Sequence, residues 1–433
     1  MGEAFGMADQ TFVIVGASLA GAKAAGHLRE RGFTGRVVLV GAENQPPYER
    51  PPLSKGYLLG TEELEKAYVH DNVGWYADHD VELILGARAT TLDRAGHTVS
   101  LDIGGSLHYD KLLIATGSRV RELTVPGATN EGVVYLRTVE DSMALRQRFV
   151  AGAQVLIVGA GWIGLEAAAA ARQHGATVTI VEMDELPLRR VMGDEVAAIY
   201  RDLHEAHGVT FHFSSGVQEV GASGGKVSHV VLVDGTEVPA DLVLAGVGVQ
   251  PNVELGQEAG LEVARGILTD EYLRTSDPDI YAAGDVAEFA SPLIGQRIRI
   301  EHWANALNGG PAAAAAMLGA DEPYDRVPYF YSDQYTTSPL IGMEYAGYVA
   351  PGGYDRVVFR GSPEIKAGSD PEFLVFWTKE GRILAGMNAN IWDVQDQIQP
   401  LVRAGWAGEA VDLARLADPS VPLSEVVGRR EYA

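Results

Sequence analysis

Val155-Leu156-Ile157-Val158-Gly159-Ala160-Gly161-Trp162-Ile163-Gly164-Leu165-Glu166 decides how this 433-residue chain folds. Four apolar residues read as a buried strand, a full G-x-G-x-x-G follows at once, and the Ala-rich run behind it reads as a helix that Gly175 stops near His174. The next apolar run, Thr177 to Val181, ends on Glu182. Strand, glycine turn, helix, strand and terminal acid form the βαβ pattern that holds a dinucleotide. Each glycine has a task. Gly159 makes the tight turn, Gly161 lets a pyrophosphate approach the backbone, and Gly164 allows close helix–strand packing, while the helix N-terminal amides face the phosphate charge. Glu182 is placed to accept from a ribose 2′-hydroxyl, which favours NADH over NADPH; Arg189 and Arg190, seven and eight residues on, weaken that preference.

Working outward, the same pattern recurs at the N-terminus: Phe12 to Val15, then Gly16-Ala17-Ser18-Leu19-Ala20-Gly21, an Ala-rich helix to about Arg31, a strand Val37 to Val40, and Glu43. Ser18 stands where the second glycine belongs, so this turn is degenerate, but its neighbours supply the missing context. Further strands at Leu112 to Ala115, Leu242 to Ala245 and Ile280 to Ala283 each run into a glycine, Gly117, Gly246 and Gly284, a sign of close ligand approach. Val209 to Phe213, Val227 to Val233 and the Asp234-Gly235 turn read as a β meander. From about Tyr331 the character changes: Arg356 to Arg360, Glu372 to Trp377 and Arg382 to Met387 read as three antiparallel strands with a Lys379-Glu380-Gly381 hairpin turn. Helices near Trp392 to Arg403 and Glu409 to Leu416 would cover one face, with no low-complexity tail beyond them. The fold class is therefore α/β, two Rossmann-like dinucleotide-binding domains plus a C-terminal α+β domain. The expected boundaries are 8–115 with 250–328 for the first, 116–249 for the second, and 329–433 for the last.

Two dinucleotide sites in one chain suggest FAD and a nicotinamide cofactor exchanging hydride. Composition narrows the chemistry further. The chain has no cysteine, which excludes disulfides, thiol nucleophiles and any catalytic dithiol within it. A formal charge of -24 argues against nucleic acid as a partner. No apolar run approaches the roughly 20 residues of a membrane span, and Met1 to Gln10 shows no secretory signal, so a cytoplasmic location is expected. No metal-ligating set is read.

Arg50-Pro51-Pro52-Leu53-Ser54-Lys55, Ala115-Thr116-Gly117, Tyr135-Leu136-Arg137-Thr138, Thr275-Ser276-Asp277-Pro278, Ala283-Gly284-Asp285 and Ser332-Asp333-Gln334 accompany the two glycine turns. With them the chain resembles, over nearly its whole length, the FAD-dependent pyridine-nucleotide oxidoreductases of glutathione-reductase-like fold. Within these it is similar to the ferredoxin reductases that serve cytochromes P450 and ring-hydroxylating dioxygenases. The resemblance implies catalytic roles for Lys55, beside the flavin, and for Glu166 as its ion-pair partner. It implies cofactor contacts from Gly16, Ser18, Ala20, Gly21, Glu43, Arg50, Ala89, Ala115, Thr116, Gly117 and Arg137. On the second half it implies them from Gly159, Gly161, Ile163, Gly164, Glu182, Gly248, Gly284, Asp285 and Trp303. Trp162 stands where the family often has an aromatic gate over the flavin, with core packing as the rival reading. Glu301 and His302 fall nearby, and His302 is not assigned as an acid or base.

The wider family passes electrons onward through sulfur, which a chain without cysteine cannot do. The flavin would instead pass single electrons, twice, to an iron–sulfur ferredoxin supplying a monooxygenase or dioxygenase. Tyr329-Phe330-Tyr331 is a candidate contact patch, with core packing as its rival, and Arg297, Arg299 and Arg50 a candidate basic patch. Leu340 to Tyr345 and Ser362 to Glu372 depart from the family pattern, so the particular ferredoxin stays open. Two other functions stay open as well: an NADH oxidase or diaphorase working without ferredoxin, and a redox-switched interaction flavoprotein like apoptosis-inducing factor. The expected assembly is a monomer or homodimer.

Overall fold

The computed structural model describes residues 9–70 and 72–426, so most of the Met1 to Gln10 stretch and the end of the chain lie outside the described residues. Contacts divide the chain into two compact units. One takes the chain to Arg50 together with Glu63–Arg119 and Gln250–Pro328; the other takes Pro51–Glu62, Val120–Val249 and everything from Tyr329 on.

The first unit is built on Thr11–Val15, whose apolar residues are buried on both faces, as a central parallel strand requires. Arg36–Val40 and Lys111–Ile114 flank it in parallel, and Val81–Ile84 and Ile280–Ala282 extend the sheet to five strands. The helix Leu19–Glu30 follows the first strand directly and lies against the helix Trp303–Met317. Small residues permit that contact: a Cβ on Gly310 would run into the Ala20 carbonyl. The antiparallel strands Ala89–Asp93, Thr98–Leu101 and Ser106–His108 add Leu92, Val99 and Leu101 to a core containing Val13, Val38 and Leu112. Each such fully buried aliphatic side chain contributes about 1.5–3 kcal/mol against exposure.

The second unit repeats the plan. Gln154–Val158 lies between Thr177–Val181 and Leu242–Ala245 in a parallel sheet that Thr210–His212 and Val133–Val134 complete. Thr210–His212 corrects the sequence reading, which placed Val209 to Phe213 in the meander. The helix Arg189–Ala206 intervenes, and a helical crossover returns the chain parallel to the strand it left. The meander itself is Val217–Ser223, Lys226–Leu232 and Glu237–Pro239, with Gly235 N donating to Leu232 O at 2.9 Å in its second turn.

From Tyr329 the chain forms a five-stranded antiparallel sheet where three strands were expected. Tyr329–Gln334 and Ile341–Gly347 are the additional pair. The first was hidden because its inward positions include Ser332 and Gln334, buried at 1% and 0% exposure, so polar residues sit where alternation should show apolar ones. The Glu372–Lys379 and Arg382–Ala389 hairpin closes through Glu380 and Gly381, at φ 52° and 76°, the pair of positive φ values that a tight two-residue turn demands. The covering helix runs Gln395–Trp406, leaving Trp392 before it, and turns Ile398, Leu401 and Val402 inward. The last helix is Leu413–Ala417 rather than Glu409 to Leu416, because the Asp412 side chain accepts from Ala414 N and Arg415 N and so fixes where it begins.

Candidate functional site

In the first unit, Gly16 sits at φ +123°, and a Cβ there would run into the Ala115 carbonyl oxygen; one on Gly21 would run into the Gly16 carbonyl. Strand tip, turn and helix therefore close on each other only as glycine. Ser18 caps the helix Leu19–Glu30 in extended backbone, yet its hydroxyl accepts from none of the helix amides. The first-turn N–H groups keep their partial positive charge directed out of the helix end, an arrangement suited to a diphosphate. Gly284, at φ +77°, opens the single turn Gly284–Val286 that carries Asp285, and faces Ala20. The helix Trp303–Met317 likewise begins, at His302, without a side-chain cap. These features fit FAD, whose pyrophosphate the helix ends would hold.

Other residues expected here have protein partners. Glu43 pairs with Arg50 at 2.7 Å and accepts from the Tyr48 hydroxyl. Burial opposes the Arg50 charge, but Tyr48, Glu43 and Asp285 outweigh it, so its pKa is raised. Thr116 gives its hydroxyl to Asn252 O at 2.8 Å, and Asn252 N donates to Gly117 O at 2.9 Å, which pins the strand end beside the glycine turn. Trp303 donates from Nε1 to Glu49 at 2.9 Å. Ala89 packs against the core below the sheet. His302 is half-buried, and desolvation by its surroundings pushes its pKa down to about 4 and keeps it neutral, with Asp285 acting the other way.

The second unit carries the matching cradle. Gly159, at φ +99°, has no room for a Cβ against the Gly246 carbonyl, nor has Gly164 against the Gly159 carbonyl. Gly161 is different: a Cβ there would meet nothing within 4 Å. Open space above the middle glycine and an uncapped helix Trp162–Gln173 are what a second pyrophosphate needs, with the exposed Ile163 in the first turn. Glu182 accepts from Ala160 N at 2.7 Å and from Asp184 N at 2.9 Å. Both nearby arginines are matched by acids: Arg189 pairs with Asp194 at 2.6 Å and Glu185 at 2.8 Å, and Arg190 with Asp184 at 2.7 Å. Trp162 packs edge-on against Tyr200 and Phe330, at 5.3 and 5.2 Å, which places it in an aromatic cluster within this unit. Gly248, at φ +98°, accepts from Arg121 N, and Arg137 N donates to Asp141 ahead of the capped helix Val139–Arg148.

Lys55 and Glu166 meet in the same unit, Nζ to Oε1 at 2.7 Å, with side chains 14% and 3% exposed. The pair lines a cleft of about 260 Å³ shared with Tyr331, Asp333 and Glu62. The Lys55 ammonium lies 5.4 Å from the Tyr331 ring, a cation–π distance. Burial, with help from Glu166 and Glu344 and against Lys55, holds the Asp333 carboxyl above its usual range. Residue-by-residue reading missed the rest of the surroundings: Ser54 and Ser332 both donate to Glu166, the latter at 2.6 Å, and Gln334 donates to Ser332 at 3.1 Å. The signal was available, since Ser54 and Ser332 stand inside two of the quoted motifs. Among the described residues, no helix is long and apolar enough to cross a membrane, and no group of three or more His, Cys, Asp or Glu could hold a metal ion.

Comparison with known proteins agrees with both halves of this geometry. Residues 10–310 match the model of the pyridine nucleotide-disulphide oxidoreductases, and residues 329–427 match the reductase C-terminal domain. The chain is 40% identical, over 96% of its length and 99% of the relative's, to the ferredoxin–NAD(+) reductase component of the anthranilate 1,2-dioxygenase system of Burkholderia cepacia. It is 37% identical to the putidaredoxin reductase of Pseudomonas putida, over 97% of each chain. Among solved structures, the reductase in a covalent putidaredoxin reductase–putidaredoxin complex superposes with a TM-score of 0.88 at 37% identity, covering 97% of this chain and 98% of the other. With two glycine cradles of the required geometry and a family match spanning most of its length, the chain belongs to the pyridine nucleotide-disulphide oxidoreductase family.

Proposed function

We propose that this chain is an NADH-dependent ferredoxin reductase that binds FAD at the Gly16 cradle and NADH at the Gly159 cradle, and supplies a cytochrome P450 or a ring-hydroxylating dioxygenase. One observation carries the reading: a chain with two glycine cradles beneath uncapped helix ends contains no cysteine to carry electrons onward. When bound, FAD supplies a centre that takes two electrons at once and releases them singly, matching a hydride donor to a one-electron iron–sulfur acceptor. The chain's own residues bind and orient. The helix ends at Leu19 and Trp162 hold the two pyrophosphates, Glu182 takes the ribose of NADH, and Glu166 fixes the Lys55 ammonium, a cation suited to negative charge on a reduced flavin. Relatives with 40% and 37% identity named as such reductases support the partner class. A cytoplasmic location fits a reaction drawing on NADH.

The test is an anaerobic NADH titration of purified protein, followed by ferredoxin-dependent reduction of cytochrome c. We expect the flavin to bleach with one equivalent of NADH and cytochrome c reduction to rise with added ferredoxin. A rate indifferent to every ferredoxin tried, with oxygen or quinone consumption in its place, would transfer the chain to the oxidase or diaphorase reading.

A further inference from the structure

Glu166 stands at one end of a buried hydrogen-bond chain that runs through the second unit and ends at two aromatic rings. Ser332 Oγ donates to Glu166 Oε1 at 2.6 Å, Gln334 Nε2 to Ser332 Oγ at 3.1 Å, His204 Nε2 lies 3.2 Å from Gln334 Oε1, and Tyr335 OH lies 2.8 Å from His204 Nδ1. Ser332, Gln334 and His204 are at 1%, 0% and 0% exposure. Bulk solvent is therefore kept from these groups, and they satisfy one another.

The carboxylate dictates the whole arrangement. An ionised carboxylate only accepts, so Ser332 spends its one proton on Glu166 and can only accept from Gln334. That turns the Gln334 amide nitrogen toward Ser332 and presents its oxygen to His204. A carbonyl oxygen needs a donor, so the His204 proton sits on Nε2. Burial drives the His204 pKa down to about 3, which leaves the ring neutral and Nδ1 bare to accept from the Tyr335 hydroxyl. Tyr335 itself occupies the left-handed region at φ +69°, a costly conformation for a bulky residue, and is held there by its hydroxyl and by the His207 ring stacked 3.5 Å away. Every donor in the chain points toward Glu166, whose two oxygens also receive Lys55 and Ser54.

We infer that Ser332, Gln334 and His204 are positioning residues for the Lys55–Glu166 pair, acting through a single-direction chain of hydrogen bonds that fixes the Glu166 carboxylate and with it the Lys55 ammonium. The inference rests on the proposed reductase function, in which Lys55 must be held in place. Misplacing a catalytic group by a fraction of an ångström costs rate rather than substrate affinity.

The first test needs no turnover. In 15N-histidine-labelled holoprotein at pH 7, the resonance absent from a His204→Gln sample should show a neutral Nε2–H ring; an Nδ1–H ring or a charged ring overturns the inference. The second test is rapid-mixing flavin reduction by NADH. Ser332→Ala and His204→Phe should each slow it about 10-fold, within the range a misplaced group produces, with the NADH KM little changed and FAD content normal. His204→Gln, which keeps a donor toward Gln334, and Ser332→Thr, which keeps the hydroxyl, should restore most of the rate. Wild-type rates in both Ser332→Ala and His204→Phe, or equal loss in the conservative and disruptive variants, overturn it. Wild-type protein whose flavin NADH does not reduce would instead overturn the reductase reading, so the two failures are distinct.

Discussion

Glu182 Oε2 accepts a hydrogen bond from Ala160 N at 2.7 Å, so the acid at the end of the second strand braces the very turn whose ligand it is expected to bind. Removing it has two effects that add. Glu182→Ala should lose a charged hydrogen bond to the ribose and loosen the turn, raising the NADH KM by roughly 10-fold to 100-fold, given about 1.5–3 kcal/mol for such a bond. Glu182→Gln keeps an oxygen for Ala160 and should fall between. Steady-state kinetics with ferricyanide as acceptor measures both; an unchanged KM in the alanine variant would remove Glu182 from the site.

The same corner explains how a chain with Arg189 and Arg190 near the ribose can still prefer NADH. Asp194 and Glu185 neutralise the first, and Asp184 the second, so no unmatched cation is offered to a 2′-phosphate. These pairs are exposed and contribute little to stability, so replacing their acids should leave the fold intact. The Asp184→Asn, Asp194→Asn double variant should lower the NADPH KM several-fold while leaving that for NADH close to wild type. Equal changes for the two cofactors would show that the arginines do not read the phosphate.

Much of this was legible in the sequence because it depends on local pattern. Strand, glycine turn and helix are contiguous, so Gly159, Gly164 and Gly16 announce their geometry within a dozen residues, and each proves to be a position where a Cβ has no room. Less legible was anything set by contacts distant in sequence. The Thr116 hydroxyl has a partner that no local pattern shows, Asn252, 136 residues on. Ser332 and Gln334 broke the apolar alternation that marks a strand because their partners are Glu166 and His204. The rings that Trp162 meets, Tyr200 and Phe330, likewise lie outside its own motif.

The three glycines of the second turn should separate folding from binding. Gly159→Ala forces a side chain into the left-handed region and into the Gly246 carbonyl, and Gly164→Ala strikes the Gly159 carbonyl. Gly159→Ala should destabilise by about 3 kcal/mol or more, as backbone strain and overpacking combine, and Gly164→Ala by about 1–3 kcal/mol, through overpacking alone. Gly161 has φ -78° and ψ 179°, which any residue adopts, and open space beyond it. Gly161→Ala should therefore melt like wild type while its NADH KM rises. Thermal unfolding beside NADH kinetics checks the contrast, and a Gly161→Ala protein as unstable as Gly159→Ala would refute it.

Acid should weaken the fold through two neutral histidines, and the sign can be worked out. His204 and His302 are held neutral by desolvation, with pKa values of about 3 and about 4, against about 6.5 in an unfolded chain. Between about pH 6.5 and those lower values the unfolded state binds a proton at each that the folded state does not, so stability falls as pH falls through this window and is complete above it. Each histidine contributes at most about 1.4 kcal/mol per pH unit there. His204→Gln removes one titrating ring, and its urea midpoint should fall less steeply than that of wild type between pH 6 and pH 4.5, whatever the variant's stability at pH 7. Parallel slopes would mean that His204 gains no proton on unfolding, and so that it is not neutral in the folded protein.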